Sequence, residues 1–341
     1  MTPRLRIAAA LLAASVVLPA SAALADGEIN LYSSRHYDTD ERLYSEFEEE
    51  TGIRINRIEG NADELIERLK AEGRNSPADV LLTVDAGRIW RAADADLLAP
   101  VDSELLEERI PAALQHPDNL WFGFSTRARI IFYAKDRVAE PPQTYADLAD
   151  PKYKGKVCTR SSSNIYMLSL LASRIAEDGV EAAESWASGV KDNLAREPQG
   201  GDTDQLKGLV SGECDIAVAN TYYFARALRT EVEGLSGSTD QIGWVFPDQG
   251  GNGTHVNVSA AGVLANAPNR DNAVKFLEYL ASDSAQEYFA AGNDEYPVVE
   301  GVGLSASVTQ LGEFKRDDLN LSALGEYQAE AQNIYNAVGY K

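Results

Sequence analysis

Tyrosine and histidine recur in this chain where a strand gives way to a helix. His36 and Tyr37 follow the first strand, Tyr166 follows the turn 161–164, and Tyr222 and Tyr223 follow Asn220 and Thr221. Phenol and imidazole in this number, with no serine, cysteine or carboxylate pair set beside them as catalytic groups, suit a hard trivalent cation. A phenolate oxygen is a hard anionic ligand, but free tyrosine titrates at about 10, so the ion must polarise the phenol strongly enough to displace its proton. Fe³⁺ does so; Ca²⁺ and Mg²⁺ do not. Soft or borderline metals select thiolates or several imidazoles, and the chain holds 3 histidines in all. Singly, each residue has an ordinary use: Tyr166 as a packed aromatic at a helix start, His36 as a loop residue. Neighbours on a helix point about 100° apart, so one of Tyr222 and Tyr223 would be core and the other exposed. Their shared position at strand ends is what singles them out.

In open α/β sheets, ligands bind beyond the carboxyl ends of the strands, so alternating strands and helices would bring these side chains to one cleft. The sequence alternates in that way. Residues 28–33 read as a strand, 38–51 as a helix with Leu43 and Phe47 at helical spacing, and 53–58 as a second strand. Asn61 with Glu64 forms a capping box for a helix through Lys70. A strand at 78–84 and a helix at 86–95 follow. The rhythm restarts after 121–124, with a β-rich stretch at 129–134, a strand at 156–159, helices at 164–177 and 182–194, and a buried strand at 215–219. A helix opens at Tyr222, then come a strand at 256–264 and one long helix at 271–291. This order predicts an α/β fold with a mostly parallel sheet covered on both faces. Residues 125–133 and 247–254 are the candidate connections between two halves, the second with glycines at 250, 251 and 253 that permit backbone rotation.

The remaining composition narrows the setting. Arg4 and Arg6 precede an apolar run from Ile7 to Ala20 that ends near Ala23, Leu24 and Ala25, which reads as a cleaved signal peptide over 1–25. The mature chain is long enough for two domains and carries no second run of that kind. The net charge of −22 becomes more negative once Arg4 and Arg6 are removed. Nucleic acid and anionic membranes would meet like charge and are excluded as partners; the acids serve mainly as solvated helix faces. Cys158 and Cys214 are the only cysteines, and in a secreted chain they are expected to form a disulfide that stiffens one half.

At these residues the sequence resembles the periplasmic ferric-ion-binding proteins that feed iron ABC importers. Residues 31–37 (LYSSRHY) resemble the family's first strand and iron loop, 145–156 (YADLADPKYKGK) its lobe-opening phrase, 220–223 (NTYY) its tyrosine pair and 293–298 (NDEYPV) its late turn. The resemblance implies a two-lobed, hinged periplasmic-binding-protein fold, with one lobe from 26–125 and 250–299 and the other from 126–249 and 300–341. It implies that Tyr222 and Tyr223 bind Fe³⁺. His36, Tyr37 and Tyr166 match the tyrosine-rich branch, which relies less on an exogenous phosphate; the glutamate that serves the anion-dependent branch, from the loop after the second strand, has no evident counterpart. The implied partners are an inner-membrane ABC permease and its ATPase, with the protein acting as a monomer.

Four phenolates around Fe³⁺ leave a charge of −1, which is costly in a partly dry cleft. Arg127, in the crossing stretch, is therefore expected to lie beside the ligands, bonding a phenolate or holding a small anion such as carbonate; the other use for it is pairing with surface acids. A same-fold binding protein for another solute, such as a polyamine, thiamine or a phosphonate, is the alternative. An enzyme is not expected: no G-x-S-x-G elbow is present, and the serines at 161–163 read as capping hydroxyls.

Overall fold

The computed structural model describes residues 27–35, 37 and 40–341, so the expected signal peptide and His36 lie outside the described residues. Strands β1 (Glu28–Ser33), β2 (Arg54–Glu59) and β3 (Val80–Thr83) pair in parallel, in the order β2, β1, β3. β4 (Phe122–Ala134) lies at the centre, followed by β5 (Val157–Cys158), β6 (Ile216–Asn220), β7 (Ile242–Val245), β8 (Val256–Val263) and β9 (Tyr296–Pro297). β8 runs antiparallel to both β3 and β4, and β6 and β7 run antiparallel to β4, while β5 and β6 are parallel. The α/β architecture is as expected. Its sheet is mixed rather than mostly parallel, because β4 and β8 cross between halves against the direction of their neighbours. Strands β3, β6 and β8 are buried throughout, as their apolar runs require when both faces are covered.

Both expected connections are crossings. β4 pairs with β8 through Ala128, with β6 from Arg129 onward and with β7 from Ile131 onward. It bulges between Gly123 and Ser125, and Gly123 has to be glycine: a Cβ there would meet Val258 Cγ1 at 2.8 Å. The second crossing, 247–254, joins β7 to β8 and is zipped to the later chain, with Thr254 N donating to Lys315 O (2.9 Å) and Asp317 N to Thr254 O (3.0 Å). Gly253 at φ 110° sits against Arg316 O, 2.6 Å from where a Cβ would stand.

Apolar packing surrounds the sheet, with Phe47 edge-on to Phe276 (5.1 Å) on the β1 side and Leu170, Trp186 and Tyr335 buried on the β6 side. Two local readings change. The expected helix 271–291 is two helices, Arg270–Leu280 and Asp283–Asn293, broken where the Ser282 hydroxyl accepts from Ala285 N. Apolar periodicity continues on both sides of the break, so the pattern conceals it. Asn61 caps the helix Ala62–Glu72 through Asp63 N, rather than through the Glu64 N–H that a capping box uses.

Cys158 and Cys214 form the expected disulfide, with Cα atoms 5.9 Å apart and a sequence separation of 56. It ties the end of β5 to the entry of β6. Thiol labelling of the unfolded, unreduced protein should find no free cysteine, and reduction should cost about 4 kcal/mol of stability on the chain-entropy estimate; two labelled thiols would refute the pairing.

Candidate metal centre

Each tyrosine is held by local chain chemistry. Tyr37 follows β1 two residues after Arg35, whose side chain is buried beneath its ring at 4.9 Å. Tyr166 lies in the first turn of the helix Ile165–Asp178, where Asn164 Oδ1 caps the Tyr166 N–H (3.1 Å). Tyr222 and Tyr223 open the helix Thr221–Arg229 directly after β6, and the Thr221 hydroxyl pins that helix start by accepting from Ala128 N on β4 (3.3 Å).

These four residues line one cavity of about 570 Å³, together with Arg226 and Arg229. The hydroxyls of Tyr166 and Tyr222 are 3.4 Å apart. The rings of Tyr222 and Tyr223 stack with centroids 4.2 Å apart and planes 29° from parallel. The ordinary alternative for this pair, one ring in the core and the other exposed, does not fit: Tyr222 is buried, Tyr223 is half-buried, and both line the cavity. Among the described residues no three His, Cys, Asp or Glu come together as a metal cluster, and four tyrosines line this cavity.

Burial pushes Tyr37 up to about 12, with Glu295 and Tyr166 adding to the rise and Arg35 and Arg127 opposing it. Tyr222 is pushed well up by burial, then by Tyr166, Tyr37 and Tyr223, against Arg127. Tyr223 is also raised, chiefly by burial. These three phenols are thus neutral at neutral pH in the absence of a metal, and a ligating ion must be acidic enough to expel their protons.

Below them lies a buried ion set. Glu295 accepts from Arg35 Nη1 (3.2 Å), Arg127 Nη2 (3.1 Å) and the Ser125 hydroxyl (2.9 Å), and Arg35 Nε also binds Asp40 (3.0 Å). Arg127 is 1% exposed, which removes its reading as a partner of surface acids. Its charge is matched within the set, two arginines against two carboxylates. What it has to spare is hydrogen-bond donors: Nε and Nη1 are buried without a partner, within electrostatic range of Tyr166, Tyr222 and Tyr37. Arg35, Glu295 and Arg226 escaped the sequence reading. Arg35 and Glu295 stand inside stretches it singled out, at 31–37 and 293–298, but nothing in their spacing links two segments so far apart.

A profile of bacterial extracellular solute-binding proteins matches residues 42–316. The chain belongs to this family. Among solute-binding proteins it is 54% identical over 315 residues to iron uptake protein A1 of Synechocystis, covering 92% of this chain and 88% of that one. A Trichodesmium protein solved in complex with iron and citrate ligands is 52% identical, with a TM-score of 0.89 over 92% of this chain and all of that one. The ferric binding protein from Campylobacter jejuni is 40% identical, with a TM-score of 0.86 and the same coverage. This solute-binding protein therefore shares its fold with two-lobed relatives, and no helix among its described residues is long and apolar enough to cross a membrane.

Proposed function

We propose that this protein captures Fe³⁺ in the periplasm on the phenolates of Tyr37, Tyr166, Tyr222 and Tyr223, with His36 as a further ligand, and delivers it as a monomer to an ABC permease and its ATPase. Secretion by a cleaved signal peptide would place it there. The lobes, 26–125 with 250–299 and 126–249 with 300–341, would close over the ion by rotation about the two crossings. The observation that carries this reading is the convergence of four phenols on one cavity, without a carboxylate cluster among the described residues; the iron uptake and ferric-binding names of its relatives support it. An organic cation such as a polyamine would seek acids, whereas Arg226 and Arg229 line this cavity. The relatives' roles also support a carrier, not an enzyme.

The test is optical. Adding ferric iron should produce a phenolate-to-iron charge-transfer band. Protons leave as the metal binds, so acid drives the reaction back, weakening affinity about tenfold per pH unit for each phenol proton displaced. The band should fade on acidification before circular dichroism reports unfolding. Simultaneous loss of both signals would show that unfolding, not phenol protonation, empties the site.

A further inference from the structure

The helix Ile165–Asp178, which opens beside the cavity, ends at the second crossing. Glu177, in its last turn, has a side chain 10% exposed, and its Oε1 is buried without a hydrogen-bond donor. The Asp317 carboxyl lies within hydrogen-bonding reach of it; burial, then Asp317, pushes Glu177 up to about 7, against the Asn252 amide and Arg174. Asp317 belongs to the strap 315–317 that is zipped to the crossing. Besides the two Thr254 hydrogen bonds, Lys315 N donates to Gln249 Oε1 (2.7 Å), Gln249 Nε2 to Lys315 O (3.0 Å) and Lys315 Nζ to Gly251 O (2.7 Å). Arg174 does not neutralise both carboxyls, because its guanidinium is divided among Glu177 (3.3 Å), Asp178 and Asp248 (3.8 Å). Arg316 lies instead over the Tyr296 ring (5.8 Å). His255, at the start of β8, is lowered to about 3 by burial, Arg129 and Arg174 and so adds no charge at neutral pH. Asp248 on the crossing is itself raised, chiefly by burial.

We propose that Glu177 and Asp317 form a proton-operated clasp on the second crossing: with one proton between them the helix end is hydrogen-bonded to the strap, and without it their like charges push the strap away. Two carboxyls that meet cannot both ionise without repulsion, whereas a carboxyl bonded to a carboxylate makes a charge-assisted hydrogen bond. The clasp holds the helix end to the segment about which the halves would turn. Tyr166 lies 11 residues earlier on the same helix, about 16 Å along its axis, so the state of the clasp sets how freely the half that carries Tyr166 moves on the crossing. This goes beyond the ferric reading and shares with it only rotation about the crossings.

The sign of the effect follows from Glu177. Its value in the folded chain lies above the ordinary 4.5, so the clasp is fully made below 4.5 and is lost as pH rises through about 7. Hydrogen exchange of the Thr254 and Asp317 amides in the full, iron-free protein, divided by the intrinsic exchange rate at each pH, reads the opening of the strap. Between those two values opening should rise about tenfold per pH unit, and above the second it should level off. In Glu177→Gln, whose amide can donate to Asp317 at every pH, the rise should disappear. Asp317→Asn should flatten it as well, while its side-chain oxygen still accepts from Leu319 N (2.9 Å in the parent). Parent exchange as flat as that of the variants would overturn the clasp, and so would a rise that survives in both variants, since it would belong to another group such as Asp248. No metal enters this measurement, so either failure leaves the ferric reading intact; loss of the charge-transfer band with the exchange profile as expected would overturn the ferric reading alone.

Discussion

Replacing Tyr222 and Tyr223 together by phenylalanine should cut the charge-transfer band by at least half and weaken ferric binding by at least about a thousandfold, roughly 4 kcal/mol. The two rings stack on each other and face the cavity, so phenylalanine keeps the packing and removes only the oxygens. Two of four phenolates are then lost, and with them the hard anionic charge that distinguishes Fe³⁺ from softer ions. Folding should be preserved, because Tyr222 makes its hydroxyl contact with another cavity phenol, Tyr166, and not with the core. Iron titration with a competing chelator and a thermal melt of the iron-free variant measure the two effects separately. Parent-like affinity in the double variant would remove this pair from the site.

The second large effect is expected at Glu295, and it falls on stability. The side chain is 1% exposed and joins Arg35, Arg127 and Ser125. Glu295→Ala leaves Arg35 with Asp40 and strips the buried Arg127 guanidinium of its carboxylate, and breaking a buried pair in this way costs about 3–5 kcal/mol. Urea unfolding of the iron-free protein measures it. Glu295→Gln, which keeps one acceptor oxygen for one of the two arginines, should lose less. If the alanine variant unfolds within about 1 kcal/mol of the parent, the ion set is more hydrated than its burial implies.

Much of this was legible in the sequence because the determining forces are local. Apolar runs at β3, β6 and β8 are decided within a few residues of themselves, and the run of β6 places Tyr222 at the mouth of its helix, whereas the cap before Tyr166 is Asn164 and not the serines at 161–163. The break at Ser282 was hidden because a single capping hydroxyl interrupts a helix without changing its apolar spacing. The reversal of β4 and β8 was hidden for a different reason, since strand direction depends on which distant strand becomes the neighbour. Glu295 and Arg35 illustrate the same limit in the site. Each is an ordinary charged residue until the fold sets 260 positions of chain separation to one hydrogen bond.

The change of partners along β4 divides the cage unevenly. Tyr37 follows β1, on the side where β4 pairs with β8; Tyr166, Tyr222 and Tyr223 follow β5 and β6, on the other side of the switch between Ala128 and Arg129. Each flank of the switch is also braced by its own buried arginine, Arg127 on Glu295 and Arg129 on Asp202. A rotation there carries each brace along intact. If the proposed trap opened by such a rotation, the ion would part from Tyr37 and stay behind on the other three phenolates. Unloading would proceed in stages, with the half built around β6 presenting a still-liganded but half-uncovered cargo to whatever receives it.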